Sequence, residues 1–314
     1  MSLHVVATTT GGPEVLAIVD ETDRAPSSGE LVVDVRAVGV NPIDVRRYRA
    51  NFGPAPEFPM HLGSEAAGIV RTVGPDAIGP RGPVSVGDEV IAYRIDGAYA
   101  ERVVVPAATL VPKPPNMDWE AASGLMVTGA TAVHALTVVA VGAGDTLLFH
   151  GAAGGVGIMA IQLAIDSGAR VIGTARETNH EFLRSLGAEP VTYGPGLLER
   201  VRAAAPQGID AAIDGVGTPE ALEVSREVVK DSGRFTTIVP SPAAFAAGVK
   251  VLGGAPGADP GTHIRSAARL ELVDRVVRGS LQVIVAGTYP LAEVAAAHRE
   301  VAAGHVRGKI ALLP

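Results

Sequence analysis

The chain has 314 residues, 47% of them hydrophobic and 19% charged, which is typical of a folded globular protein. Its 26 basic and 33 acidic residues give a formal net charge of −7, which argues against nucleic-acid binding by phosphate neutralisation. Cysteine is absent, so disulfides, thiolate zinc sites, iron–sulfur clusters and cysteine nucleophiles are excluded. The first residues lack the basic and apolar segments of a secretory signal, and we expect a cytoplasmic protein.

Short β-branched segments, interrupted by glycine and proline, dominate residues 31–112. They predict strands over residues 31–40, 68–73, 89–93 and 101–106. Short strands with frequent turns indicate an antiparallel, barrel-like domain. Residues 121–144 follow as an apolar stretch long enough to span a bilayer. Its four glycines, three threonines and His134 favour a buried helix, so we expect no membrane span.

Strands and helices alternate after this stretch. Strands are predicted over residues 146–150, 170–174, 190–192, 209–213 and 234–239, with helices over 157–167, 179–186, 197–205 and 219–230. This alternation indicates a parallel sheet covered by helices on both faces. In the tail we predict helices over residues 265–277 and 291–303 and strands over 281–285 and 309–313, returning to the first domain.

A glycine-rich turn joins the strand at residues 146–150 to the helix that follows it. The run HGAAGGVG over residues 150–157 leads directly into the apolar segment IMAIQLA. Glycines there let the backbone approach a pyrophosphate at the helix N-terminus. Glycines also simply permit tight turns, but the flanking strand and helix favour a dinucleotide site.

The end of the second strand of this fold bears on which dinucleotide binds. Acidic residues at that position hold the ribose of NADH, whereas arginine meets the 2′-phosphate of NADPH. This chain has Arg176 there, followed by Glu177. We therefore predict NADPH, with Glu177 keeping the NADH alternative open.

The glycine-rich run at residues 151–164 resembles the cofactor loop of zinc-independent quinone oxidoreductases. These enzymes belong to the medium-chain dehydrogenase/reductase superfamily and include zeta-crystallin. Further similar segments occur in the family's order: NPID at residues 41–44, HLGSEAAG at 61–68, VGD at 86–88, GAYAE at 97–101, TGAT at 128–131, SLGAE at 185–189, DAAIDGVG at 210–217 and GHVRGKI at 304–310.

The resemblance implies an α/β protein with two domains. A GroES-like β-rich catalytic domain would comprise residues 1–121 and 280–314, and a Rossmann doubly wound parallel-sheet domain residues 122–279. It also implies bound NADPH, no metal, and a homodimer, for which we nominate the edge segment 249–252. Ser64 stands where the zinc enzymes of the superfamily carry a histidine, and His61 with Glu65 supplies only two candidate ligands.

Site residues follow from the same resemblance. Asn41 would lie near the nicotinamide. Asn41, Arg47 and Tyr48 are also close together in the sequence, which makes them candidate catalytic donors to developing charge, and the alternative for Arg47 and Tyr48 is a solvated surface position. Tyr99, His134 and His150 are read as core residues. The predicted cofactor-binding set is Asn41, Thr128, Thr131, Ala153, Gly154, Gly155, Val156, Gly173, Thr174, Arg176, Tyr193, Val216, Gly217, Val239, Pro240 and Ser241.

The expected activity is NADPH-dependent reduction of quinones or α,β-unsaturated carbonyls by hydride transfer. Two alternatives stay open: an enoyl-thioester reductase of a biosynthetic pathway, and a non-catalytic NADPH-binding protein. The loops at residues 50–60 and 240–260 would shape the substrate cleft, and neither names a substrate.

Overall fold

The computed structural model describes residues 1–49 and 56–314. Its N-terminal half is rich in strands, as predicted, but it begins with two strands that we did not predict. The elements are β1 Ser2–Ala7, β2 Leu16–Glu21, β3 Glu30–Val40, α1 Pro42–Arg47, β4 Met60–His61, β5 Glu65–Val73, β6 Ile78–Gly79, β7 Gly82–Pro83, β8 Glu89–Tyr93, β9 Arg102–Pro106, β10 Leu110–Pro112 and α2 Trp119–Ala122.

Helices and strands alternate in the middle of the chain, as predicted. The elements are α3 Leu125–Val138, β11 Thr146–His150, α4 Gly155–Asp166, β12 Arg170–Ala175, α5 His180–Ser185, β13 Glu189–Thr192, α6 Leu197–Ala204, β14 Ala211–Asp214, α7 Pro219–Val228, β15 Phe235–Thr237, α8 Pro242–Ala246, β16 Lys250–Val251 and α9 Thr262–Val277.

The tail consists of β17 Val285–Pro290, α10 Val294–Ala303 and β18 Lys309–Leu313. The strand predicted at residues 281–285 is therefore wrong at all but its last residue. Strand pairing with β18 begins only at Val285, opposite Lys309, so the apolar run before it did not mark the strand.

The described chain divides into two compact units. The first comprises Met1–Val127, Arg269–Gly279 and Val283–Pro314, and the second Thr128–Ala268 with Ser280–Gln282. The C-terminal part of α9 thus packs in the first unit, whereas the predicted division placed it in the Rossmann domain. Hydrogen bonds from Asn116 Nδ2 to the Val276 carbonyl and from Arg269 Nη1 to the Ala108 carbonyl account for this placement.

The first unit is built around a mixed sheet of order β10-β8-β5-β3-β18-β17, with β9 also paired to β3. Its pairs are antiparallel, as predicted for this domain, except that β17 and β18 run parallel. A smaller sheet of order β2-β1-β4 belongs to the same unit. Buried β-branched and aromatic side chains form the core, including Leu31, Val33, Val38, Tyr48, Tyr99, Val105 and Ile310.

The second unit contains an all-parallel sheet of order β13-β12-β11-β14-β15-β16. This is the doubly wound strand order. Successive strands are added on one side of β11 from β12 to β13, and then on its other side from β14 to β16. Its strands are short, and the residues of the inner strands β12, β11, β14 and β15 are nearly all buried, as expected for a sheet between two helical layers. The segment nominated as a dimer edge contains β16, which is the last strand of this sheet.

One helical stretch, Trp119–Val138, has the length and composition of a membrane span. Its most apolar window is 67% buried within the protein, and the core helix of a globular protein passes the same test. The expectation that this stretch is a buried helix agrees with that burial.

Candidate functional site

The glycine-rich turn lies between β11 and α4, in the second unit. Gly151 has a φ of +81°, and Gly154 is the N-cap residue of α4. A Cβ atom on Gly157 would lie 2.6 Å from the carbonyl oxygens of Gly151 and Ala152. The glycine-rich turn therefore packs closely against the first turn of α4. The free N–H groups and the positive dipole end of that helix suit a pyrophosphate.

Most of the predicted cofactor residues of the second unit lie at or just after the carboxyl ends of adjacent parallel strands. Gly151 N donates to Thr174 Oγ1 at 3.2 Å, which joins the turn after β11 to the end of β12. A Cβ on Gly151 would lie 2.7 Å from Val216 Cγ1, and a Cβ on Gly217 would lie 2.5 Å from Val239 Cγ1. The structure thus brings the ends of β11, β12, β14 and β15 together at the edge of the sheet where doubly wound folds bind ligands.

Arg176 and Tyr193 meet beyond the ends of β12 and β13. Arg176 Nε donates to the Tyr193 hydroxyl at 2.9 Å, and both side chains are exposed. The sequence analysis missed Arg200 of α6, which holds the segment around Tyr193. Its guanidinium donates at 2.8 Å to three carbonyl oxygens, those of Thr192, Gly194 and Pro195. Arg200 therefore fixes the backbone on both sides of Tyr193.

Asp214 organises the turn that follows β14. One carboxylate oxygen accepts from the backbone N–H groups of Val216 and Gly217 at 2.8 and 2.9 Å. The other accepts from Thr237 Oγ1 at 2.9 Å, which ties β15 to the same point. His150 lies buried in the neighbouring strand, and burial lowers its pKa to about 4. It is therefore a neutral core histidine at physiological pH, as expected.

Thr128 and Thr131 are buried on α3. Arg265 of α9, also missed by the sequence analysis, donates to Thr131 Oγ1 at 3.1 Å and to His134 Nδ1 at 3.2 Å. Burial lowers the pKa of His134, whose Nε2 lies 3.5 Å from Asp259 Oδ2. His134 is thus a core histidine, as predicted, and it helps to hold Arg265 beside Thr131.

A buried polar cluster in the first unit contains Asn41. Its Nδ2 group donates to Glu65 Oε1 at 3.0 Å and to the Gly39 carbonyl at 3.3 Å, while its Oδ1 accepts from Lys309 Nζ at 2.6 Å. Both N–H bonds of this amide are therefore in use. Lys309, which sequence reasoning did not single out, also donates to Glu65 Oε1 and to the Val40 carbonyl.

Tyr48, predicted as a candidate donor, is fully buried and begins a chain of hydrogen bonds. Tyr99 donates to Asp44 Oδ2 at 3.2 Å, so its oxygen accepts from His298 Nε2 at 3.0 Å. His298 Nδ1 then accepts from the Tyr48 hydroxyl at 2.9 Å. Tyr99 is buried as predicted, but it also carries a hydrogen-bonding role that packing alone did not suggest.

Burial sets the protonation states of the four side chains in this series of hydrogen bonds. It raises the pKa of Asp44 to about 6 and lowers that of His298 to about 4. It also raises the pKa of Tyr48 to about 12 and that of Tyr99 well above its ordinary value. At neutral pH both phenols and the imidazole are therefore uncharged, because desolvation disfavours each charged form.

Arg47, the third candidate donor, lies near the surface. Its Nη1 pairs with Asp96 at 2.9 Å, and Arg47 keeps 32% of its side-chain surface exposed. Of the loop expected to shape the substrate cleft at residues 50–60, residues 50–55 lie outside the described part of the chain.

The residues around Ser64 do not fit a catalytic metal ion as they stand. The resemblance puts Ser64 where zinc dehydrogenases carry a histidine, and both oxygens of the neighbouring Glu65 carboxylate already accept hydrogen bonds. Glu65 Oε1 accepts from Asn41 and Lys309, and Oε2 accepts from the backbone N–H of Val127 at 2.8 Å. The Lys309 ammonium therefore supplies the positive charge that balances Glu65.

Comparison with known proteins connects both units to one superfamily. A GroES-like alcohol dehydrogenase domain model matches residues 27–115, and a zinc-binding dehydrogenase model matches residues 186–312. Quinone oxidoreductase from Pseudomonas aeruginosa is 32% identical over 335 residues, covering 97% of each chain.

Solved structures agree with these matches. A mycobacterial protein in complex with NADPH has a TM-score of 0.87 and 31% identity, covering 99% of this chain and 100% of that one. CurK enoyl reductase has a TM-score of 0.84 and 25% identity, covering 99% of each chain. The fold, the glycine turn and these likenesses together show that the chain belongs to the quinone oxidoreductase family of the medium-chain dehydrogenase/reductase superfamily.

Proposed function

We propose that this protein is an NADPH-dependent oxidoreductase that reduces quinones or α,β-unsaturated carbonyls without a metal ion at its catalytic site. The observation that carries the proposal is the closed glycine turn at the N-terminus of α4, flanked by the Arg176–Tyr193 pair. When bound, NADPH would supply the hydride, so the chain's task is to bind, orient and stabilise charge.

The residues of the second unit fit NADPH in charge and shape. The backbone of Gly154, Gly155 and Val156 opens α4 and would hold the pyrophosphate through its N–H groups. The exposed Arg176 guanidinium suits a 2′-phosphate, and Tyr193 beside it offers a ring and a hydroxyl. The mycobacterial relative in complex with NADPH supports this preference.

Nine further residues complete the proposed nucleotide site of the second unit: Thr128, Thr131, Gly173, Thr174, Val216, Gly217, Val239, Pro240 and Ser241. Most of them lie at strand ends along the same sheet edge, and the two threonines lie on α3. Ala153 lies within the glycine turn itself.

Among the three candidate donors we propose Arg47 as the group that stabilises negative charge on the acceptor oxygen. Asn41 already uses both of its N–H bonds, and the Tyr48 hydroxyl donates to a buried histidine. Arg47 instead has a partly exposed side chain whose guanidinium is paired with an exposed carboxylate. Asn41 would act by positioning, and solvent water would supply the proton that the reduced acceptor takes up.

The test is oxidation of NADPH and, in parallel, of NADH by the purified protein with a chelator present. The acceptors are 1,4-benzoquinone, 9,10-phenanthrenequinone and a simple alkenal. We expect chelator-resistant turnover that prefers NADPH. Arg176→Ala should lose that preference, whereas Arg184→Ala, an exposed arginine on α5, should keep it. NADH preference in the wild type would contradict the role of Arg176, and loss of turnover with chelator would contradict metal-free catalysis.

A second candidate is reduction of an enoyl thioester, which the likeness to CurK enoyl reductase favours. Crotonyl thioesters in the same assay separate the two, since this candidate requires them to be better acceptors than every quinone. Tight NADPH binding without turnover on any acceptor would instead indicate a non-catalytic binding protein.

We also propose a homodimer formed along the edge strand β16. β16 is the last strand of the parallel sheet, paired with β15 through Lys250 opposite Thr236, and edge strands can pair with a second copy of a chain. On its outer side Asp259 already bonds to the backbone of Val251 and Gly253, so pairing with a second copy would use neighbouring residues of this edge. Light scattering over a concentration series tests this, and a monomeric mass throughout would contradict it.

A further inference from the structure

Three side chains with metal-binding donors converge on the small sheet β2-β1-β4 of the first unit. They are His4 on β1, Glu21 on β2 and His61 on β4. One nitrogen of each imidazole and one carboxylate oxygen all lie within 4.8 Å of one another. These residues have no part in the nucleotide site or in the buried cluster around Asn41.

Strand register explains why these residues meet. Glu21 is paired with Ser2, and His61 is paired with Val6, while His4 lies midway between Ser2 and Val6 on β1. Alternate residues of a strand point to the same face, so all three side chains leave the sheet on one side. Backbone pairing on both sides of β1 therefore sets their spacing before any ion binds.

The contacts within the cluster are close and polar. His61 Nε2 lies 2.9 Å from Glu21 Oε1, and the rings of His4 and His61 meet edge to face with centroids 5.7 Å apart. His61 and Glu21 keep 38% and 39% of their side-chain surface exposed. An ion would thus have access from solvent, with coordination positions left for water.

From this arrangement we propose that His4, Glu21 and His61 form a binding site for a divalent transition-metal ion of the zinc type. Two imidazoles and one carboxylate are a donor set that suits Zn²⁺, Co²⁺, Ni²⁺ or Cu²⁺, whereas Ca²⁺ and Mg²⁺ prefer oxygen donors throughout. The ion would link the three strands and thereby stabilise this sheet.

The surroundings of His4 favour a bound cation. His4 Nε2 shares a hydrogen bond of 3.1 Å with Ser2 Oγ, and Ser2 in turn donates to Asp23 at 2.6 Å. These two hydrogen bonds orient the His4 ring, as hydrogen bonds to metal ligands do at known metal sites.

Other charges near the cluster partly offset one another. The carboxylates of Glu21, Asp23 and Glu101 all act on His4. Asp23 is paired with Arg102 and with the N-terminal amine, so part of this negative charge is already balanced. Within the described residues Glu21 forms an ion pair with His61, so its negative charge lies beside the proposed ion.

The experiment titrates Zn²⁺ into tag-free protein by calorimetry and uses Co²⁺ absorption to report the coordination. We expect one Zn²⁺ per chain, a Co²⁺ spectrum with nitrogen and oxygen ligands, and a higher Tm with Zn²⁺ than with chelator. Glu21→Gln keeps the size of the side chain and can still accept from His61. We expect it, like His4→Asn and His61→Asn, to weaken Zn²⁺ binding at least about tenfold.

His263→Gln is the matched control, because His263 is an exposed histidine on α9 outside the cluster. It should bind Zn²⁺ as the wild type does. The proposal is overturned if the wild type binds no Zn²⁺ at micromolar concentration, or if Glu21→Gln and His61→Asn bind it as tightly as wild type. Circular dichroism of each variant without metal establishes that lost binding does not reflect lost folding.

Discussion

Replacing Lys309 by methionine tests how strongly the buried cluster stabilises the first unit. Lys309 Nζ donates to Asn41 Oδ1 at 2.6 Å, to the Val40 carbonyl at 2.8 Å and to Glu65 Oε1 at 3.2 Å. Its side chain is 5% exposed and that of Glu65 is fully buried. Lys309→Met would leave the Glu65 carboxylate buried without its cation, which costs about 3–5 kcal/mol.

Trp119 offers a local probe of this change. It is the single tryptophan of the chain, and it lies in the first unit. Its fluorescence during urea unfolding therefore follows the unit that contains the cluster. With a denaturant slope of about 2–3 kcal/mol per molar urea, the midpoint should fall by about 1–2.5 M.

The double variant Glu65→Gln/Lys309→Met separates charge from packing. It removes both charges together, so its midpoint should lie above the value expected from adding the losses of the two single variants. A Lys309→Met midpoint equal to that of wild type would refute the reasoning. So would strict additivity of the two single variants.

Three further predictions follow from contacts elsewhere. Gly157→Ala should destabilise the second unit by about 1–3 kcal/mol and weaken NADPH binding in a fluorescence titration, because its Cβ would lie 2.6 Å from two carbonyl oxygens; unchanged binding would contradict the closed turn. Arg200→Leu should raise the KM for NADPH and leave kcat unchanged, because it frees the backbone beside Tyr193, whereas Arg202→Leu on the same helix should change neither. Asp44 has a folded-state pKa of about 6 against an ordinary 3.8, so its protonated form contributes stability at low pH that is lost as the pH rises through 6. The stability of wild type relative to Asp44→Asn should fall by up to about 3 kcal/mol across that range in urea titrations, and a constant difference would contradict the raised pKa.

The parts of the fold that sequence patterns predicted best are those with strong local signals. The strand at residues 146–150 has these bounds in the structure, because an apolar run ends there at a glycine turn. The strand β2 was missed, since it ends in Asp20 and Glu21, residues with low strand preference, and is held by pairing with β1. The failed strand at residues 281–285 had the apolar pattern but no pairing partner before Val285.

Contacts between side chains that are distant in sequence could not be predicted from local sequence patterns. Lys309 contacts Asn41 across 268 positions and His298 contacts Tyr48 across 250. Likewise, no motif spacing connects His4, Glu21 and His61, which only strand register brings together. By contrast, most residues proposed for the nucleotide could be named from the sequence, because they belong to segments that resemble the family and lie at or just after the ends of predicted strands.

The position of β18 inside its sheet affects the order in which the two units fold during synthesis. The strand lies between β3 and β17, and it carries Lys309 into the buried cluster. A ribosome delivers residues 309–313 long after β3 has emerged, so the first unit keeps an open sheet edge until those residues are made. The second unit lies almost wholly within residues 128–268 and meets no such delay. Nascent chains halted before β18 should therefore bind chaperones through the end of β3 at residues 38–40, which β18 pairs in the complete sheet, while the parallel sheet is already folded.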